Sequence, residues 1–268
     1  MDILVIGGSG FVGTNFIQYL LEKYKDNNIV NIDKLENSKN NLKDEDSKNY
    51  RFYQIDVCNY EELLKLFKFW FGFDIIINFT DSLNGLCNVL EIIKKYKVKK
   101  LLQVSTEIDS ICESTALSYF SSFSIPVVIS RSSELYGPFQ KINKFIPSIV
   151  TDLILDKFVT AQQKNSKNWL NVFDYCRALD TLIHYGQIGQ IYDICGSEIW
   201  NEFDVVNAII ETMGRSNNVL EGAREINQEL LQINSKIADE LSWMPLVKMK
   251  EGLEETVEWY KSNTEWWQ

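Results

Sequence analysis

Short apolar runs and amphipathic stretches alternate along the first half of this chain. The runs at residues 3–6, 29–33, 50–55, 73–79, 100–105 and 126–131 are rich in β-branched and aromatic residues and too short for buried helices. Between them, residues 11–23, 60–69, 83–96 and 110–123 repeat apolar positions at helical spacing. Strand and helix alternating in this way predict a doubly wound α/β fold, a parallel sheet with helices on both faces. The polar, charge-rich stretch 37–49 reads as a solvated connection. Beyond Tyr136-Gly137-Pro138 the rhythm loosens. Residues 169–174 and 191–195 read as further strands, and 178–185, 203–213 and 252–261 as helices, in a smaller C-terminal lobe. The expected division is 1–135, with 168–190 returning to it, against 136–167 and 191–268.

The first strand runs into the most informative stretch, Ile-Leu-Val-Ile-Gly-Gly-Ser-Gly-Phe-Val-Gly at residues 3–13. Gly8, Gly10 and Gly13 satisfy G-x-G-x-x-G, and Gly7, Gly10 and Gly13 the looser G-x-x-G-x-x-G. Glycines suit a tight strand-to-helix turn whose backbone approaches a pyrophosphate, and the unpaired N–H groups of the helix start face the anion. A lone glycine pattern is weak, but here a strand precedes it, an amphipathic helix follows, and the second strand ends in Asp33. A carboxylate there accepts the ribose hydroxyls of an adenosine and repels a 2′-phosphate, which favours NAD over NADP. The nucleotide-binding part is therefore expected to be Rossmann-type.

Composition narrows the partners. A chain of 268 residues with 45% hydrophobic content buries a substantial core. Its net charge of −10 argues against nucleic-acid and anionic-membrane partners. The start, Met1-Asp2-Ile3, is already strand-like with no basic leader, and the greasiest stretch, 67–79, carries Lys68 and Asp74. A cytoplasmic protein is the expectation. Cys58, Cys87, Cys112, Cys176 and Cys195 are scattered and read as buried thiols, with no metal site. His184, the single histidine, lies on an apolar helix and reads as structural. Trp259, Tyr260, Trp266 and Trp267 read as packing for the last helix.

Several further motifs together resemble the extended short-chain dehydrogenase/reductases, and most closely their dTDP-glucose 4,6-dehydratase branch. They are Val30-Asn31-Ile32-Asp33-Lys34-Leu35, Asp56-Val57, Val104-Ser105-Thr106-Glu107, Arg131-Ser132-Ser133-Glu134-Leu135-Tyr136-Gly137-Pro138, Lys144-Phe145-Ile146-Pro147, Asn168-Trp169-Leu170-Asn171-Val172-Phe173-Asp174 and the closing helix through Trp259-Tyr260. The resemblance runs nearly end to end. It implies NAD held by Gly7, Gly10, Phe11, Val12, Gly13, Asp33, Lys34, Asp56 and Val57. It also implies a dTDP- or UDP-linked nucleotide-sugar whose diphosphate meets Lys144, Lys167 and Arg224. The family pairs through its fourth and fifth helices, which implies a homodimer. Leu83, Leu86, Leu90 and Ile93, with Ala116, Tyr119 and Phe120 on the next helix, recur at the spacing such a face needs. The same residues also suit packing on the sheet.

The departures bear on activity. The helix after the fifth strand reads Ser110-Ile111-Cys112-Glu113-Ser114-Thr115-Ala116-Leu117-Ser118-Tyr119 and lacks the family's Tyr-x-x-x-Lys pair. Tyr19 with Lys23 and Tyr96 with Lys100 fit that spacing, but neither is placed to face a nicotinamide. Of the dehydration triad Thr106 is kept, Glu107 replaces the Asp and Ile108 the Glu, so Thr106 and Glu107 read as vestigial catalytic residues. Lys167 stands for an Arg and loses its bidentate fork, Leu230 replaces a second Arg, and Glu134 and Leu135 replace paired asparagines. The loops that cover the nicotinamide and deliver the tyrosine are both cut short. The expected function is an NAD-binding pseudoenzyme, a partner or regulatory subunit. The alternative is an active nucleotide-sugar dehydratase or epimerase with relocated residues.

Overall fold

Successive side chains of β1 (Asp2–Ile6) enter different cores. Ile3 and Val5 pack with Phe16, Ile17 and Leu20 of α1 (Phe11–Lys23) and Leu179 and Leu182 of α6 (Val172–Tyr185). Leu4 and Ile6 pack with Leu63 and Phe67 of α2 (Tyr60–Phe69) and Leu86 and Leu90 of α3 (Leu83–Ile93). A strand covered on both faces belongs to a parallel sheet with helices on each side. The computed structural model describes residues 1–35, 42, 48–105, 111–159, 166–215 and 235–268. Thr106, Glu107, Ile108, Arg224 and Leu230 lie outside the described residues.

The strands β2 (Asn28–Asp33), β3 (Tyr50–Gln54), β4 (Ile75–Asn78), β5 (Lys100–Ser105), β6 (Val127–Ser132) and β9 (Ile191–Ile194) join β1 in one seven-stranded sheet. Its order is β3-β2-β1-β4-β5-β6-β9, with every pair parallel. The order reverses between β1 and β4, the switch point outside which ligands bind in such sheets. On one face lie α1 and α6, and on the other α2, α3 and α4 (Ile111–Phe123).

A three-stranded sheet forms the smaller lobe, β10-β8-β7, from β7 (Glu134–Tyr136), β8 (Ser166–Asn171) and β10 (Ile199–Asn201). Its core joins Ile146 and Val150 of α5 (Phe145–Ile154), Val205 and Ile209 of α7 (Glu202–Thr212) and Leu253, Val257 and Tyr260 of α9 (Met249–Ser262). Two short helices, α8 (Ser235–Leu241) and α10 (Thr264–Trp267), complete the described elements. The closing aromatics do pack: Tyr260 is fully buried, and Trp259 and Trp266 close on the Phe139 ring at 4.7 and 5.9 Å. Buried Asp174 fixes the chain before α9, accepting from Arg177 at 2.6 Å and from the backbone N–H groups of Leu246 and Val247 at 2.9 and 2.8 Å.

Three expectations are corrected. The strand expected over 169–174 ends at Asn171, whose side chain accepts the Phe173 N–H at 2.8 Å and starts α6. An apolar run that short carries no mark of where strand yields to helix. The division between lobes shifts as well, because 191–194 is the edge of the large sheet and 168–171 pairs within the small one. Cys58 is exposed rather than buried. Leu86, Leu90, Ile93 and Ala116 are buried, since α3 lies between α2 and α4 over the sheet, which is the packing their spacing also suits. Among the described residues no helix is long and apolar enough to cross a membrane.

Candidate functional site

The glycine turn closes the C-terminal end of β1 at the switch point. Gly7 takes φ +76° and donates to the Ile32 carbonyl at 2.8 Å, tying the turn to β2. Gly10 caps α1 with no side-chain hydrogen bond, and no acid sits in the first turn. The N–H groups at the start of the helix, on Phe11 and Val12, therefore meet no capping side chain and suit an anion. Of the motif glycines, Gly13 is demanded by packing: a Cβ there would lie 2.6 Å from Gly8 Cα and 2.7 Å from the Gly7 carbonyl. At Gly10 a Cβ would meet only the Gly7 carbonyl, at 3.4 Å. Nothing in the described chain requires glycine at position 10, which leaves its open side for a ligand.

Asp33 ends β2 beside this turn. One carboxylate oxygen accepts the Ser9 N–H at 3.1 Å and the other the Leu35 N–H at 2.9 Å. An ionised carboxylate has about four acceptor positions, so Asp33 keeps capacity for a pair of hydroxyls. Between β2 and the end of β3 opens a cleft of about 140 Å³ whose lining includes Gly7, Ile32, Asp33, Ile55, Asp56 and Val57, with Lys34, Cys58, Thr80 and Ser82. Its apolar walls with a carboxylate rim fit a planar heterocycle carrying a ribose. Asp56 accepts the Cys58 N–H at 2.8 Å, which shapes the turn that presents Val57.

Residues that the sequence did not single out hold this wall. Asn88 donates to the carbonyls of Val57 and Cys58 at 3.0 and 2.9 Å. Gly85 lets α3 approach, since a Cβ there would lie 2.5 Å from Val57 Cγ1. Ser82 caps α3 through the Gly85 N–H at 3.2 Å, and its hydroxyl lies 3.1 Å from the Cys58 thiol. A glycine two residues into an expected helix was the available signal for this contact.

On the other side of the switch point, β4 passes to α3 through residues 79–82 alone. Asn78, Thr80 and Gln103 satisfy one another there: Thr80 Oγ1 donates to Asn78 Oδ1 at 2.8 Å and Asn78 Nδ2 to Gln103 Oε1 at 2.8 Å. Arg131, at the end of β6, clamps the buried Glu113 carboxylate at 2.5–3.1 Å. Neither pair of Tyr-x-x-x-Lys spacing is near. Lys23 bonds the Tyr19 hydroxyl at 2.9 Å, but both hold Asp180 of α6, and burial raises the Tyr19 pKa, opposite to what a base needs. Lys100 is buried and donates to the carbonyls of Leu182 and Gly186 at the end of α6, while Tyr96 packs on Phe67. Single-histidine His184 bonds its own helix, Nδ1 lying 2.9 Å from the Asp180 carbonyl.

In the smaller lobe Lys144 is exposed and caps α5 without a side-chain bond. Lys167 lies 3.8 Å from Glu134 and 3.6 Å from Glu202, over the Trp169 ring. Part of its charge is thus answered within the chain. Among the described residues no cluster of His, Cys, Asp and Glu could hold a metal.

Residues 3–110 and 111–195 match the model of the NAD dependent epimerase/dehydratase family. The chain belongs to that family. A family relative, the dTDP-glucose 4,6-dehydratase of Streptomyces niveus, is 26% identical over 322 positions that cover all of this chain and 95% of that protein. The human dTDP-D-glucose 4,6-dehydratase is 27% identical over 320 positions, covering 99% and 91%. Both alignments run longer than the 268-residue chain, so each relative carries segments that this family member lacks. The solved dTDP-glucose 4,6-dehydratase of Bacillus anthracis, a complex with NAD, superposes with a TM-score of 0.90 at 31% identity over 100% of this chain and 98% of that one. The doubly wound fold is thus that of the family's nucleotide-sugar dehydratases.

Proposed function

We infer that this chain binds NAD through its adenosine diphosphate half and acts as a catalytically impaired partner or regulatory subunit beside nucleotide-sugar enzymes. One observation carries the reading. The adenosine-side wall is complete, while β4 reaches α3 in four residues and no Tyr-x-x-x-Lys pair stands near the switch point. Asp33 would hold the ribose hydroxyls, Ile32, Ile55 and Val57 the adenine, and the α1 start with Gly10 the diphosphate. NAD, when bound, supplies a hydride acceptor. The proton transfer that must accompany hydride removal from a sugar hydroxyl would need a positioned base, and neither Tyr-x-x-x-Lys pair of this chain stands there to supply the family's phenol.

The sugar-nucleotide side is reduced in the same sense. Lys144 at the uncapped start of α5 suits a diphosphate, with Arg224 as a second contact in the sequence, while Lys167 is drawn toward Glu134 and Glu202. A dTDP- or UDP-linked sugar is therefore the substrate-class ligand, bound more weakly than NAD. The homodimer implied by the family resemblance would use the outer face of α4, where Ile111 and Phe123 are exposed. The cytoplasm is the proposed location.

Thermal unfolding tests the reading. A ligand at about 100 times its Kd stabilises by about 2.7 kcal/mol, so NAD is expected to raise the melting temperature clearly and dTDP- or UDP-glucose to raise it less. A melting temperature unmoved by NAD at millimolar concentration would count against the whole reading.

A further inference from the structure

At the end of the sheet opposite the glycine turn, two unusual stretches meet. Residues 67–73 read Phe-Lys-Phe-Trp-Phe-Gly-Phe and residues 94–100 read Lys-Lys-Tyr-Lys-Val-Lys-Lys. The first closes α2 and the second follows α3. They are in contact: the Phe67 and Tyr96 rings lie 5.3 Å apart, and the Lys99 N–H donates to the Asp74 carbonyl at 2.8 Å.

Phe71 carries two local costs that the fold does not recover. Helix α2 ends with Gly72 N–H donating to the Phe67 carbonyl at 2.9 Å and Phe71 N–H to the Lys68 carbonyl at 3.4 Å. That ending requires left-handed backbone at residue 71, where φ is +57°, and glycine or asparagine supplies it at least strain. Here a phenylalanine does so with its side 94% exposed, and Phe69 beside it is 70% exposed. The cofactor cleft lies at the other end of the strands and touches neither ring.

Lysines share this end of the chain with the two rings: Lys65 lines a groove with Phe69, and Lys68 lies between Phe67 and Phe69 in sequence. Lys65, Lys68 and Lys97 have no acidic partner among the described residues, and Lys95 donates to the Tyr60 hydroxyl at 2.7 Å. Two nearby acids are answered, Asp74 by Lys99 at 2.9 Å and Glu91 by Lys94 at 3.1 Å, while Asp2, whose Oδ1 accepts from the Asn28 amide, Asp26 and Glu62 offset part of the lysine charge. We propose that this end of the sheet docks peripherally on an anionic lipid bilayer. Phe69 and Phe71 enter the boundary between headgroups and acyl chains, and the lysines lie on the lipid phosphates. Exposed aromatic rings beside lysines without ion-pair partners are the pattern of an interfacial lipid site, and failure to bind anionic vesicles would leave these residues to a protein partner. The net charge of −10 is a chain average, and screening over about 8–10 Å confines its effect at this surface. Docking in this pose leaves the cofactor cleft facing solution.

Vesicle flotation of the full chain tests the proposal. Binding is expected to vesicles containing phosphatidylglycerol and not to phosphatidylcholine alone, and to weaken as salt rises. Each of Lys65→Gln, Lys68→Gln and Lys97→Gln should lower partitioning about fivefold. The double variant Phe69→Ser, Phe71→Asn should lower it at least about tenfold with an equal or higher melting temperature, because asparagine tolerates the left-handed backbone. No binding to anionic vesicles would overturn the proposal, as would binding that ignores both sets of substitutions. A concentration-dependent dimer by light scattering that the phenylalanine variant abolishes would assign this face to a second copy and also overturn it.

Discussion

Incubated with NAD and dTDP-glucose or UDP-glucose, this chain is expected to form no 4-keto-6-deoxy sugar above background. Oxidation at C4 needs a base for the hydroxyl proton, and dehydration needs an acid and a base across C5 and C6. Tyr136, Tyr175 and Tyr119 are unsuited to the first task. Burial pushes Tyr136 and Tyr175 well above the usual phenol range, and the hydrogen bond to Glu91 with burial pushes Tyr119 up to about 12. A base at neutral pH needs the opposite shift. For the second task the family resemblance puts Ile108 at the position expected of a carboxylate. Positioned proton transfer is worth about 10²–10⁴-fold, and groups acting as a unit fail together. Turnover at least about 10⁴-fold below an intact relative is expected, read from the ultraviolet absorbance of the keto sugar in alkali. Clear turnover that disappears in Glu107→Gln would show a relocated active site.

Substituting the motif glycines separates folding from binding. In Gly13→Ala the new methyl meets backbone atoms of Gly7 and Gly8 at 2.6–2.9 Å, which cannot yield without moving α1 from the turn. Overpacking of this kind costs about 1–3 kcal/mol, and more against rigid backbone. A fall in melting temperature of about 4–10 °C is expected. Gly10→Ala meets nothing closer than 3.4 Å, so the fold should keep its melting temperature. Its methyl would stand where a diphosphate approaches the helix start, and NAD affinity should fall at least about tenfold, a loss of about 1.4 kcal/mol. A Gly10→Ala protein that binds NAD as tightly as the parent would remove the pyrophosphate from this turn.

Much of the fold was legible because the strands are buried on both faces and the helices on one. Residues 11–23 and 60–69 were bounded correctly from periodicity, helped in the first by the glycines that start it. The cleft beside the glycine turn was legible at Gly7, Asp33 and Asp56, where a turn, a strand end and an acid coincide in sequence. Its support from Asn88 and Gly85 was not, because a side chain reaching 31 residues back leaves no local pattern. Packing likewise decided what spacing left open. Leu86 and Leu90 repeat as an interface or as a core would, and only the position of α3 between two helices makes them core. The pairs Tyr19–Lys23 and Tyr96–Lys100 show the same limit. Their spacing suits catalysis, yet Asp180 and the end of α6 claim both lysines.

The central claim is that NAD is held by its adenosine diphosphate half alone, and calorimetric titration of the folded chain with NAD and with ADP-ribose tests it most directly. Both ligands are expected to bind with Kd values within about threefold of each other, since about 0.6 kcal/mol is then all that the nicotinamide contributes. Absence of heat with either ligand on well-folded protein would contradict the account, and so would NAD binding tens of times more tightly than ADP-ribose.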